Sequence, residues 1–399
     1  MTILIVMQDW LGMMVRWLHV VTGIAWIGSS FYFIALDLSL KPREGQAPGI
    51  KGETWQVHGG GFYRMIKFLV APSEMPDELT WFKWEAYATW LSGFALLVIV
   101  YYWNAELFLK GENSELTTGG AVALSLAGLA GGFAAYEALC RSPLRHSQLA
   151  VGVVLYVALV LFGLFYTHVF TGRGAFIQIG ALIGTIMVAN VFVVIIPNQK
   201  IIVAELIAGR TPDPKLGDQG KLRSVHNNYL TLPVILLMIS NHYPLLHSTE
   251  YSWLILALIL ALGPVIRHFF NSRHAGQGSP WWTWLVAGMI LIAIGWLSDQ
   301  GRLDLESSAL PPTSDFAEVQ NLVMGRCSMC HSDKPNFPGI THPPRDVRLD
   351  TPERIHAHAA AIGLQAAWSR NMPPSNVTGM LDEERAQLAA WLKAGAPSQ

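Results

Sequence analysis

Eight stretches of this 399-residue chain are apolar for long enough to cross a bilayer core, which takes about 20 helical residues. They cover approximately 10–36, 84–103, 119–139, 148–170, 175–197, 226–243, 251–270 and 280–298. Backbone polar groups cannot go unpaired in hydrocarbon, so such segments fold as helices. The expected fold class is therefore all-α, a polytopic bundle of about eight transmembrane helices over residues 1–300. The sixth run is the weakest, because His226, Asn227, Asn228 and Asn241 sit at its ends. Only 14% of residues are charged, where soluble domains carry about 25%, and the fifteen tryptophans suit aromatic belts at a membrane interface. With a net charge of −1 there is no basic field for nucleic acid. Lipid is the expected surrounding instead. The N-terminus has no basic n-region and its first apolar run is long enough to span, so no cleavable signal is expected.

The connections alternate sharply in positive charge. Loops 41–83, 140–147, 198–224 and 271–279, with Arg267 at the adjoining helix end, hold fifteen Lys and Arg residues; the opposite loops hold Lys110 and Arg173. The positive-inside rule then puts both termini outside the cytoplasm, on the periplasmic side of a bacterial inner membrane. The first run contains RWLHVVTGIAWIGSSFYFIALD, in which Arg16, His19, Gly23, Trp26, Ser30 and Asp37 fall roughly on one helical face. Ionisable groups in a span usually face a bundle interior and mark a site. For Arg16 and Asp37, about 31 Å apart along the helix, snorkelling to opposite interfaces is the simpler alternative.

After the last run the composition changes. A Pro/Ser-rich linker, 301–315, leads into a polar region, 316–399, that contains CSMCH, Cys327 to His331. C-x-x-C-H is the attachment site of a c-type haem: two thiols on one helical turn can add to its two vinyl groups, and the adjacent histidine can ligate the iron. Cys327, Cys330 and His331 are thus the predicted haem c residues. Met372, in RNMPPS, is the predicted second axial ligand, with Met380 as its rival. Helices are expected over 315–326, 351–370 and 381–395, the last closed by Gly395. Three helices around one haem make a class I cytochrome c, and haem c is attached outside the cytoplasm, in agreement with the charge count. Cys140 is read as a buried structural thiol.

The bundle holds two groups of histidines. His19, His168 and His242 lie in the outer half and form the candidate ligand set for a b-type haem, which needs histidines at matching depth on different helices. Hydrogen-bonded interfacial histidines are the alternative. At the inner mouth, HNNYLT (His226 to Thr231), WFKWEAY (Trp81 to Tyr87), PNQ (Pro197 to Gln199) and RHFFN (Arg267 to Asn271) converge with Asn190 and His268. Such a set could hydrogen-bond and stack on a flat polar heterocycle; ordinary interface polarity is the competing reading.

Taken together, VRWLHVVTGIAWIGSSFYFIALD, VHGGGFYR, WFKWEAY, PNQK, HNNYLTLP, SNHYP and RHFFN resemble the membrane-integral urate oxidases, or urate hydroxylases, that end in a cytochrome c domain. The resemblance covers essentially the whole chain. It implies oxidation of urate to 5-hydroxyisourate, with electrons leaving through haem c to a soluble cytochrome c or a terminal oxidase. Catalytic residues are assigned from chemistry: His226 is the first candidate base and Glu85 the second. Asn227, Asn228, Thr231, Arg267 and Trp84 are the candidate urate-binding residues. Two other classes compete. One is a cytochrome-tailed relay subunit of a respiratory complex; the other, a haem-regulated transporter, is disfavoured because no inverted repeat stands out.

Overall fold

The computed structural model describes residues 2–72, 76, 78–300, 315–338 and 340–398. The expected linker falls outside the described residues as far as residue 314. In chain order, α1 (Thr2–Ser39) is followed by a hairpin of β1 (Ile50–His58) and β2 (Gly61–Phe68). Then come α2 (Trp84–Leu96, prolonged by a π-helical segment to Tyr102), the short α3 (Ala105–Phe108), α4 (Thr118–Arg141), α5 (Gln148–Val169) and α6 (Gly172–Ala189). A second π-helical segment, Asn190–Ile195, joins α6 to α7 (Ile196–Ile207), and α8 (Pro214–Ser240), α9 (Ser252–His274) and α10 (Trp282–Gln300) complete the bundle. The tail contains α11 (Phe316–Arg326), α12 (Pro352–Ala357), α13 (Ala359–Ile362) and α14 (Asp382–Lys393).

Among the described residues, seven helical stretches are long and apolar enough to cross a membrane. The sixth of the eight expected runs is absent from that set. It is the second half of α8, where polar residues lower the hydropathy but 27 helical residues supply ample length. Tertiary packing rather than hydropathy holds it: His226, Asn227, Asn228 and Thr231 are all buried, and α8 packs on α6 and α9.

Two features position the candidate residues. Pro197 stands at the start of α7, where it lacks an N–H and crowds the carbonyl four residues back. The widened segment just before it turns Asn190 into the bundle, fully buried; such π-bulges recur at functional positions. On α9, a Cβ at Gly263 would lie 2.2 Å from Pro233 Cδ of α8. Only glycine permits that approach, and one turn further along α9 it brings Arg267 beside Asn228.

The hairpin is not announced by the hydropathy pattern. Gly59 and Gly60 both have positive φ (58° and 79°), as a two-residue turn matched to strand twist requires. Lys67 of β2 pairs with Asp37 at 2.6 Å, so Asp37 fastens the hairpin to α1 rather than lining a path. Arg16, at the other end of the same helix, is exposed. The expected inward stripe of α1 is therefore incomplete: α1 packs mainly on α2, at the rim of the bundle. The tail has its own apolar core, built on Val319, Val323, Ile355, Leu388 and Trp391. Its middle helix is shorter than expected, broken at His358 and finished by a π-helical segment to Ala367.

Candidate functional site

The predicted bundle residues sit toward the end of the bundle that carries the hairpin, but they do not form one cluster. Residues two apart on a helix point to nearly opposite sides, and α8 divides the set accordingly. On its α4 and α6 side, His226 Nδ1 lies 2.8 Å from the Tyr136 hydroxyl. Asn190 Nδ2 donates to that hydroxyl and to Asn227 Oδ1, both at 2.9 Å. Arg223 donates to Asn190 Oδ1 at 3.2 Å and to Glu137 at 2.7 Å, with its guanidinium 4.9 Å from the Tyr136 ring centre. Thr231 donates to the Asn227 carbonyl, one turn back on α8. Cys140 is buried as expected, with Sγ 4.0 Å from His226 Nδ1.

Facing α9 and α1, Asn228 Oδ1 accepts from Arg267 Nε at 3.3 Å and from Asn271 Nδ2 at 2.8 Å. Arg267 also donates to Asn271 Oδ1, and its guanidinium stacks 4.0 Å over the Phe31 ring. Two buried polar atoms are left over in these groups, His226 Nε2 and Asn228 Nδ2. A buried polar atom without a partner costs about 1–3 kcal/mol, so each is a place where a ligand can contribute.

The remaining candidates are placed elsewhere. Trp84 is 69% exposed on the outside of α2, and Phe31 is the ring that lies against Arg267 instead. Glu85 is half-buried in the first turn of α2; among the described residues its carboxylate has no hydrogen-bond or ion-pair partner, so it does not join His226. Of the proposed haem b ligands, His19 donates from Nδ1 to the Thr89 carbonyl at 2.9 Å. Its ring lies against Gly93, where a Cβ would meet it at 2.8 Å. That hydrogen bond fixes the tautomer and leaves the lone pair on Nε2, as a metal-ligating histidine needs. His168 is exposed and bonds within its own helix to Leu164, and His242 is exposed after α8. Neither bonds to His19.

Sequence reading passed over Tyr136, Glu137 and Arg223. Their signal was present: Tyr136 and Glu137 interrupt an apolar run at the spacing that also includes Cys140.

In the tail, Cys327 and Cys330 are free thiols. Apolar surroundings push Cys327 up to about 12. His331 donates from Nδ1 to the Val347 carbonyl at 3.0 Å, and burial holds its imidazole below the usual range. It is thus neutral, with Nε2 as an available lone pair. Met372 is half-buried, its carbonyl held by the buried Arg385 at 2.8 Å; Met380 is 3% exposed within the tail core. Among the described residues no three His, Cys, Asp or Glu side chains converge on a metal site. A haem site asks less, two thioether bonds and one or two axial ligands, and the free thiols beside a clamped His331 fit it.

Comparison with curated proteins and with solved structures returns no match. Residues 5–298, from α1 to α10, match the family described as urate oxidase, N-terminal. The match ends before the tail, and on its breadth this chain belongs to the urate oxidase N-terminal family.

Proposed function

We propose that the chain is a membrane-bound oxidoreductase that converts urate and water to 5-hydroxyisourate and exports two electrons through a haem c on its tail. Membership of the family supports urate as substrate and oxidation as the chemistry. The charge asymmetry of the loops supports a bacterial inner-membrane location with a periplasmic tail. One observation carries the electron-exporting half: beside two free thiols, His331 is locked through Nδ1 to a backbone carbonyl. Cys327 and Cys330 would hold the haem, with His331 and Met372 as axial ligands. Bound there, it accepts one electron at a time.

The reaction removes two electrons from urate, adds the oxygen of water and releases two protons. Urate is largely a planar monoanion near neutral pH, and Arg267 with Asn228 offers it a positive group and an unused amide donor over the Phe31 ring. His226 is better suited to donating than to acting as a base. With Asn190 donating to the Tyr136 oxygen, the arrangement that gives the Tyr136 hydrogen to His226 Nδ1 leaves the imidazole proton on Nε2. A base role requires the Tyr136 hydroxyl to turn away.

Adding urate to the anaerobic, oxidised protein should reduce its haem c. Asn228→Ala and Arg267→Gln should abolish that reduction with the haem still attached. His226→Gln separates the two roles, because it keeps a donor near Nε2 and removes the base; activity within about tenfold of wild type means donor. If wild-type haem stays oxidised, the chain is a relay. Met372→Ala should change the haem spectrum and lower its potential while the haem stays attached. The same changes in Met380→Ala, with none in Met372→Ala, would reassign the ligand.

A further inference from the structure

Where the tail meets the bundle, away from the hairpin, a cavity of about 660 Å³ opens between them. That volume falls within the range of small-molecule sites, about 300–1,000 Å³. Its bundle wall includes Phe108, Phe170, Arg173 and His247; its tail wall includes Arg370 and Met372. The tail is seated here by two bonds, Ser375 Oγ to the Lys110 carbonyl at 2.8 Å and Asn376 Nδ2 to Glu112 at 2.6 Å.

The bundle wall is built for negative charge. Thr171 caps α6 by accepting from the Gly174 N–H. The Gly172 and Arg173 N–H groups have no partner among the described residues; both residues line the cavity, and the helix N-terminus there favours an anion. Arg173 has no carboxylate partner among the described residues. Asn241 accepts from its Nε, and its guanidinium rests 4.8 Å over the Phe108 ring. His247 supplies an independent sign: it is 5% exposed, lines the cavity, and its Nε2 has no partner. Thr249 Oγ1, on the same wall, is also buried and unpartnered.

We propose that this chamber binds a small planar organic anion of the urate class through Arg173, His247 and the first N–H groups of α6, against the Met372 loop. The identity of the ligand rests on the function proposed above; the anion site itself does not. Neither Glu112 nor Glu250, which also line the chamber, pairs with Arg173 among the described residues. Since both walls contribute, a bound anion bridges tail and bundle beside the proposed haem ligand.

The test uses the full-length, haem-loaded protein, reduced beforehand with dithionite under argon so that no turnover occurs, and titrated with urate in a calorimeter. Arg173→Gln and His247→Phe should each weaken one urate-binding event at least tenfold, whereas Asn228→Ala should leave that event unchanged. Arg370→Gln, on the tail side, should weaken it several-fold and keeps the test decisive if the bundle variants fold poorly. Wild-type binding in all three chamber variants, or no binding to the wild type, overturns the proposal. Competition by inorganic phosphate at equal affinity overturns its urate-class part. If the chamber binds urate but oxidised protein is never reduced by it, the anion site stands and the proposed reaction fails. Urate-driven reduction without any Arg173-dependent binding leaves the reaction standing and overturns the anion site.

Discussion

The two ends of the bundle treat buried polarity in opposite ways. Toward the hairpin, Arg223 is matched by Glu137, and Tyr136, Asn190, Asn227 and His226 complete a chain of hydrogen bonds around it. At the other end, Arg173 has an amide oxygen and two rings for company, and His247 keeps an unpartnered nitrogen beside an open chamber. The first arrangement commits its charge to internal order, which fixes side-chain directions around the two atoms it leaves over. The second keeps charge uncommitted, which suits a site that fills and empties.

This contrast predicts unequal responses to loss of an arginine. Arg223→Ala leaves Glu137, which is 17% exposed, with only the exposed Arg141 as its ion-pair partner, and leaves Asn190 Oδ1 without its donor. Losing one charge-assisted bond and stranding a buried amide oxygen in this way costs about 2–4 kcal/mol. Arg173→Gln removes no ion pair among the described residues and should cost about 1 kcal/mol. Thermal melts of the two variants in one detergent decide between these, and equal losses would erase the distinction between the ends.

Acid should act on the open end through His247. Burial and the neighbouring Arg173 push His247 down to about 3, below the value of about 6.5 expected in the unfolded chain. Between those values the unfolded chain binds the extra proton. Stability from this group is thus complete above about pH 6.5 and is lost as pH falls toward 3. From pH 7.5 to pH 5 the loss is about 2 kcal/mol. His247→Phe should flatten the dependence of melting temperature on pH over that range. An unchanged slope would mean that the imidazole reaches solvent after all.

How much of this was legible in the sequence follows from how local each signal is. Apolar runs and C-x-x-C-H are written in consecutive residues, and the chain folds helices on those runs. The hairpin-end residues were legible as a set but not as a geometry. Helical periodicity alone separates His226 from Asn228 onto different faces, yet their partners, Tyr136 and Asn190 on one side and Asn271 on the other, come from three other segments. Trp84 was misplaced because hydropathy reports depth and not which way a helix is turned. The chamber could not be read at all: its walls come from segments around residues 108, 171, 248 and 373 that meet only in the fold.

The smallest expected effect tests the seam itself. Ser375 and Asn376 both have positive φ (48° and 49°), a conformation that costs non-glycine residues energy and persists where surroundings hold it. Here the bonds to Lys110 and Glu112 lie at the same two residues, and Asn376 also bonds back to Met380 within the tail. Asn376→Asp would set a carboxylate against Glu112; it keeps the bond from the Met380 N–H to the side-chain oxygen and loses the one from Nδ2 to the Met380 carbonyl. The haem spectrum, recorded alongside, separates that loss within the tail from a change in seating. The seating on the bundle should weaken by about 1 kcal/mol, roughly fivefold in the docked population, because neither group is deeply buried. Crosslinking between cysteines introduced at Asn113 and Ser375 would read that population directly, with Asn376→Ala as the uncharged control. A fivefold drop for Asp and a smaller one for Ala would make the seam a charge-sensitive contact. An unchanged yield for both would mean that the tail is held by its chain connection and the chamber walls alone.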